Sequence, residues 1–120
     1  MSPRGTILIV DDEPAIADLL AELLGDEGYV AHTALSGERA LSMLETLRPD
    51  LILLDTYMPV MSGASLFAEI RARPELQHVP IIVMSASAPA AMALQEAGAA
   101  AVLIKPFTIE TALACVAQVL

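Results

Sequence analysis

Residues 6–28 read TILIVDDEPAIADLLAELLGDEG. The run Thr6–Val10 is short, apolar and rich in β-branched residues, which suits a strand buried on both faces. Two aspartates follow at once, and then Pro14, a residue that suits the first turn of a helix. Beyond it Leu19, Leu20, Leu23 and Leu24 recur at helical spacing, and Gly28 is placed to end the helix. The stretch is therefore one strand–loop–helix unit with acids at the carboxyl end of its strand.

The same unit repeats along the chain. Further apolar runs are Tyr29–Ala34, Leu51–Leu54, Ile81–Met84 and Ala101–Ile104. Ser36 is positioned to cap a second helix carrying Ala40, Leu41, Leu44 and Leu47. Leu66, Phe67 and Ile70 mark a third, stopped by Pro74; Ala90–Ala97 reads as a fourth, ended by Gly98; Thr108 can cap a fifth. Strands alternating with helices predict an α/β domain: a parallel five-stranded sheet with helices on both faces. The flavodoxin-like strand order 2-1-3-4-5 is the common solution.

At 120 residues the chain fits a single domain over 1–120. It stops inside its last predicted helix, which is compatible with a longer parent protein. One cysteine, Cys115, excludes an internal disulfide and is expected to pack as a small core residue. The apolar fraction of 56% and mean hydropathy of +0.64 raise the question of a membrane span. The most apolar stretch, Val79–Ile104, is broken by Pro89, Gln95, Glu96 and Gly98, short of the roughly 20 residues a span needs. No signal peptide is recognisable, so a cytoplasmic location is expected. Fifteen acids against six bases give a net charge of −9, which argues against nucleic-acid binding by this chain.

In such a sheet ligands sit at the carboxyl ends of the strands, near the switch in strand order. Strand one ends in Asp11-Asp12, strand three in Asp55, strand four in Ser85, and strand five in Lys105-Pro106, which holds the only lysine. Each has an ordinary explanation alone: Asp12 as a helix cap, Asp55 as a turn residue before Pro59, Ser85 as a loop hydroxyl. Their convergence on one edge favours a site. Two unit charges roughly 4 Å apart repel by about 4 kcal/mol at an effective dielectric near 20. Either one of the three carboxylates is protonated or a cation sits among them. Hard oxygen ligands suit Mg²⁺. An aspartate can also attack phosphorus to form an acyl phosphate, with the ammonium of Lys105 and a metal neutralising the transferring oxygens.

The segments ILIVDDEP (7–14), LILLDTYMPVMSG (51–63), IIVMSA (81–86) and GAAAVLIKPF (98–107) resemble bacterial two-component response-regulator receiver domains of the CheY-like superfamily. The pattern D-x-x-M-P-x-x-x-G, here Asp55, Met58, Pro59 and Gly63, is strongly diagnostic beside an Asp pair and a Lys-Pro. The resemblance implies that Asp55 accepts a phosphoryl group from a histidine kinase or histidine phosphotransfer protein. It implies that Mg²⁺ (or Mn²⁺) is held by Asp11, Asp12, Asp55 and the backbone carbonyl of Tyr57, with Asp12 the direct ligand of the pair. It implies that Ser85 and Lys105 contact the phosphoryl oxygens, and that the Lys105–Pro106 peptide is cis. Such a domain turns over no metabolite: it catalyses only its own phosphorylation and slow dephosphorylation. Output is implied through the face made by helix four, strand five and helix five.

Two departures concern output. The family usually has an aromatic ring three residues before the lysine; here it is Val102. The segment from Ser85 to Gly98 is about two residues shorter than the common pattern, which predicts a shortened fourth helix or loop. A haloacid-dehalogenase-type phosphohydrolase would need a second Asp two residues after the first, where Tyr57 stands. A flavodoxin would need a Ser/Thr/Gly-rich loop after strand one to hold phosphate through backbone N–H groups, where DDEP stands. A receiver serving only as a binding scaffold is the remaining alternative. His32 and His78 fall outside the acid cluster and are expected on the surface or in loops. Met58, Met61 and Met84 are expected to be packing residues.

Overall fold

The computed structural model describes residues 4–120. Five strands alternate with five α-helices: β1 Thr6–Val10, α1 Pro14–Asp26, β2 Val30–Ala34, α2 Gly37–Met43, β3 Leu51–Asp55, α3 Gly63–Arg71, β4 Ile81–Ser85, α4 Ala88–Glu96, β5 Ala101–Ile104 and α5 Ile109–Val119. A 3₁₀ turn, Pro74–Leu76, lies between α3 and β4. The strands are all parallel in the order β2-β1-β3-β4-β5, as the alternating pattern predicts.

Every residue of β3 and β4 is buried, which is why these strands read as unbroken apolar runs. Their side chains alternate between two cores. Leu8, Val10, Ile52, Leu54, Ile81 and Val83 face one cluster, with residues of α2, α3 and α4. Ile7, Ile9, Leu51, Leu53, Ile82 and Met84 face the other, with residues of α1 and α5. Each such side chain contributes about 1.5–3 kcal/mol when fully buried. Among the expected packing methionines, Met58 and Met84 are buried and Met61 packs against the first cluster. Cys115 is half-buried at the margin of the second cluster rather than inside it. His32 lies half-buried in the edge strand β2, and His78 is exposed in a turn.

The caps behave as their chemistry dictates. Ser36, Ser62, Ser87 and Thr108 each accept a backbone N–H of the helix they precede. Gly28 and Gly98 adopt φ of +96° and +116° just beyond α1 and α4, in the left-handed region open to glycine. Pro74 opens the 3₁₀ turn, past the end of α3. α4 starts earlier than its apolar pattern indicates, because Ser87 caps it and Pro89 fits its first turn. It has nine residues, as many as α3. The connection from β4 is Ala86 and Ser87 alone. Among the described residues no helix is long and apolar enough to cross a membrane.

Candidate functional site

The register brings the polar strand ends to one edge. Val10 pairs with Leu54, so Asp11 and Asp55 stand level. Asp55 pairs with Met84, which sets Ser85 one residue further out. Ser85 pairs with Ile104, which sets Lys105 one step beyond that. β3 and β4 each run one residue past their apolar stretch, so Asp55 and Ser85 are still held by the sheet. Thr56 N–H donates to the Met84 carbonyl at 3.0 Å and Lys105 N–H to the Ser85 carbonyl at 2.8 Å. The side chains are thus placed by rigid backbone, the arrangement a preorganised site requires.

Among the described residues Asp11, Asp55 and Ser85 are the buried polar ones, at 0%, 3% and 0% exposure. Lys105 Nζ donates to Asp55 Oδ1 at 3.1 Å and lies 3.6 Å from Asp11 Oδ2. The Lys105–Pro106 peptide is cis. Carboxylate oxygens of Asp11, Asp12 and Asp55 all lie within 4.8 Å of one another. Burial, and secondly the Asp11 carboxylate, push the Asp55 carboxyl above the ordinary aspartate range, and Lys105 only partly offsets them. Burial pulls the Lys105 ammonium down, but Asp55 and Asp11 outweigh it and leave it above the ordinary lysine value.

Asp12 does not cap α1: Glu13 occupies the N-cap without a side-chain cap bond. Asp11 Oδ1 instead accepts the Glu13 N–H at 3.0 Å. That leaves Asp11 Oδ2 buried with no hydrogen-bond partner among the described residues, its 3.6 Å approach to Lys105 being an ion pair only. Three clustered carboxylates, two of them beside the Lys105 ammonium, with a buried oxygen unsatisfied, form a donor set for a hard divalent cation.

Two features escape a reading by residue type. Gly63 opens α3 against the end of β3; a Cβ there would meet the Asp55 carbonyl oxygen and stand 2.5 Å from Thr56 Cα. Thr56 Oγ1 donates to Ser85 Oγ at 2.8 Å, and only a hydroxyl residue following an acid at a strand end hints at it. Around the site, Tyr57 and Val60 are 86% and 95% exposed. Beside Lys105 a groove of about 430 Å³ runs between α1 and the start of α5, lined by Ile16, Leu20, Leu23, Phe107 and Ile109, with Glu13 at its rim.

Val60 has a φ of +69°. A β-branched side chain is strained there, at a cost of order 1–3 kcal/mol. With so exposed a side chain there is little packing to lose. Val60→Asn should therefore stabilise the domain by about 1 kcal/mol, read as a higher urea midpoint with an unchanged slope. A lower midpoint would show that the valine makes a contact outweighing its strain.

A family model described as "Response regulator receiver domain" matches residues 7–117. The DNA-binding dual master transcriptional regulator RpaA of Synechocystis sp. is 34% identical over 116 residues, covering 95% of this chain and 48% of that protein. The chain thus spans about half the length of that relative. Among solved structures, the chemotaxis response regulator CheY4 of Vibrio cholerae superposes with a TM-score of 0.90 at 30% identity, all of both chains being covered. The response regulator TrrA from Thermotoga maritima, in complex with Mg(2+)-BeF, superposes with a TM-score of 0.86 at 35% identity, again over all of both chains.

Proposed function

The chain belongs to the family of response regulator receiver domains, the phosphorylation-dependent modules of two-component signalling, and we propose that its acceptor is Asp55. The observation that carries this is the Lys105–Asp55–Asp11 cluster: a buried carboxylate beside an ammonium at 3.1 Å and a second acid with a free oxygen. In the proposed reaction an Asp55 oxygen attacks phosphorus and an O–P bond forms. The bond from phosphorus to the donor breaks, a P–N bond for a phosphohistidine, and its electron pair leaves with the imidazole. Lys105 stays protonated and balances charge on the transferring oxygens. Ser85 supplies a hydroxyl donor at the same edge.

Asp11, Asp12 and Asp55, with the backbone carbonyl of Tyr57, would hold Mg²⁺ (or Mn²⁺), which when bound offsets the negative charge brought together by the carboxylates and a phosphoryl group. The unsatisfied Asp11 oxygen and the all-oxygen donor set support this, as does the Mg(2+)-BeF complex of the similar TrrA. The donor is a histidine kinase or histidine phosphotransfer protein. The apolar groove beside Lys105 supports a protein donor, since it offers an apolar helix a seat against the residue that pairs with Asp55. The chain turns over no metabolite and acts as a switch; its output passes through the α4–β5–α5 face to an effector or a linked domain.

The test is incubation with Mg²⁺ and a small acyl phosphate, followed by intact-mass measurement. One phosphoryl group should be gained per chain, and none when a chelator is present. No mass gain with metal and donor in excess would leave the scaffold reading.

A further inference from the structure

Ser85 Oγ has one proton to donate and two lone pairs to accept with. All three are engaged. Thr56 Oγ1–H donates to it at 2.8 Å, Ser87 N–H donates to it at 3.0 Å, and its own proton goes to the Ser87 carbonyl at 3.0 Å. A phosphoryl oxygen on Asp55 can receive the Ser85 proton only if that proton leaves the Ser87 carbonyl. The withdrawal strands nothing, because the same carbonyl also accepts the Ala91 N–H at 3.0 Å within α4. What remains on Ser85 through the change is the pair of bonds it accepts, from the Ser87 N–H and from the hydroxyl of Thr56, the latter the only side chain among them.

Resting on the reading of Asp55 as acceptor, we infer that Thr56 is a positioning residue for phosphoryl transfer, acting through Ser85. It does so in two ways. By occupying one lone pair it narrows the directions open to the Ser85 proton, so that the proton exchanges between the Ser87 carbonyl and the phosphoryl group rather than sweeping freely. By donating to Ser85 it polarises the Ser85 hydroxyl and strengthens it as a donor, as hydrogen bonds in a chain do. Thr56 follows Asp55 directly, so acceptor, positioning residue and hydroxyl donor form one connected set across β3 and β4. Ser87 is the N-cap of α4. The same proton exchange therefore removes one of the two donors on the N-cap carbonyl of α4 when the acceptor is phosphorylated, with no aromatic side chain involved.

The test is a double-mutant cycle on Thr56 and Ser85 in the full chain, with Mg²⁺ and a small acyl phosphate, reading the initial rate of phosphoryl uptake. Thr56→Val keeps the shape and removes the hydroxyl. It should slow uptake about fivefold, the size of one net neutral hydrogen bond, and Thr56→Ser should restore most of the rate. In a Ser85→Ala background Thr56→Val should change the rate no further, because Thr56 acts only through Ser85. A purely structural role would slow both backgrounds alike. Thr56→Ala, run through the same cycle, guards against a misfit of valine. Uptake by Thr56→Val at the parent rate, or equal slowing in both backgrounds, overturns the inference while leaving Asp55 as acceptor. A parent that takes up no phosphoryl group, or an Asp55→Asn variant that still does, overturns both.

Discussion

Asp55→Asn is expected to take up no phosphoryl group and, in metal-free buffer at neutral pH, to be more stable than the parent. The first half follows from chemistry: an amide oxygen is a poor nucleophile and forms no acyl phosphate, while size and shape are kept. The second follows from the electrostatics. Burial and the Asp11 carboxylate raise the Asp55 pKa above the ordinary value of 3.8, so the ionised group is less favourable in the folded than in the unfolded chain. The sign is that of a raised acid. The penalty is absent below the ordinary aspartate pKa, grows as pH rises from there to the raised value, and is complete above it. Asn carries no such penalty. Urea unfolding of both proteins with chelator should show a gap in favour of Asp55→Asn at pH 7 that closes as the pH is lowered toward the ordinary aspartate value. Adding Mg²⁺ should narrow the gap from the other side, by binding the folded parent more tightly than the variant. A parent more stable than the variant without metal at pH 7 would mean that the Lys105 pairing outweighs burial.

Gly63→Ala should destabilise the domain by about 3 kcal/mol or more and distort the acceptor. The added methyl meets two backbone positions, the Asp55 carbonyl oxygen and Thr56 Cα, and neither can swing away as a side chain could. Relief requires α3 to back off from β3, which uncovers Leu66, Phe67 and Ile70, the buried face of that helix. Gly37 provides the control. A Cβ there would come to 2.8 Å of the Met61 sulfur and 3.0 Å of its Cγ and Cβ; the sulfur and Cγ can rotate away, and the Cβ contact needs a shift of only a few tenths of an ångström. Gly37→Ala should therefore cost less than Gly63→Ala in the same denaturation experiment. Equal effects would show that the β3–α3 junction yields more readily than its backbone contacts imply.

The central strands β1, β3 and β4 are legible in the sequence because burial on both faces leaves little choice but continuous Ile, Leu and Val, and the strand order because alternating strands and helices with right-handed crossovers admit few arrangements. Helix ends marked by Ser36, Gly28, Gly98 and Thr108 are legible because caps are local chemistry. The start of α4 is not, since an alanine-rich stretch has no apolar stripe to date it from and Ser87 acts only once it leaves β4. At the candidate site the acids, Ser85 and Lys105 stand out as polar residues at the ends of apolar runs. The division of labour among them does not. Asp11 rather than Asp12 takes the Glu13 amide, and two adjacent aspartates offer no sign in the sequence of which will do so. Thr56 reads as an ordinary strand-end residue until the β3–β4 register places it against Ser85. Val60 looks like any loop valine, because a dihedral angle leaves no mark in composition.

The sheet is also a partition. Leu94 and Ala99, around α4, pack with α2 and α3 on one side of it, whereas Ala112 and Val116 of α5 pack with α1 on the other. Between them β5 sends Val102 to the first side and Leu103 to the second. The surface made by α4, β5 and α5 is therefore a seam between two separately packed halves. Substitutions in α4 and α5 on opposite sides should add in free energy, since their side chains pack in different clusters. The first turn of α4 can also shear against α5 without disturbing the other layer, so the outline of that surface can change while each half keeps its own interior.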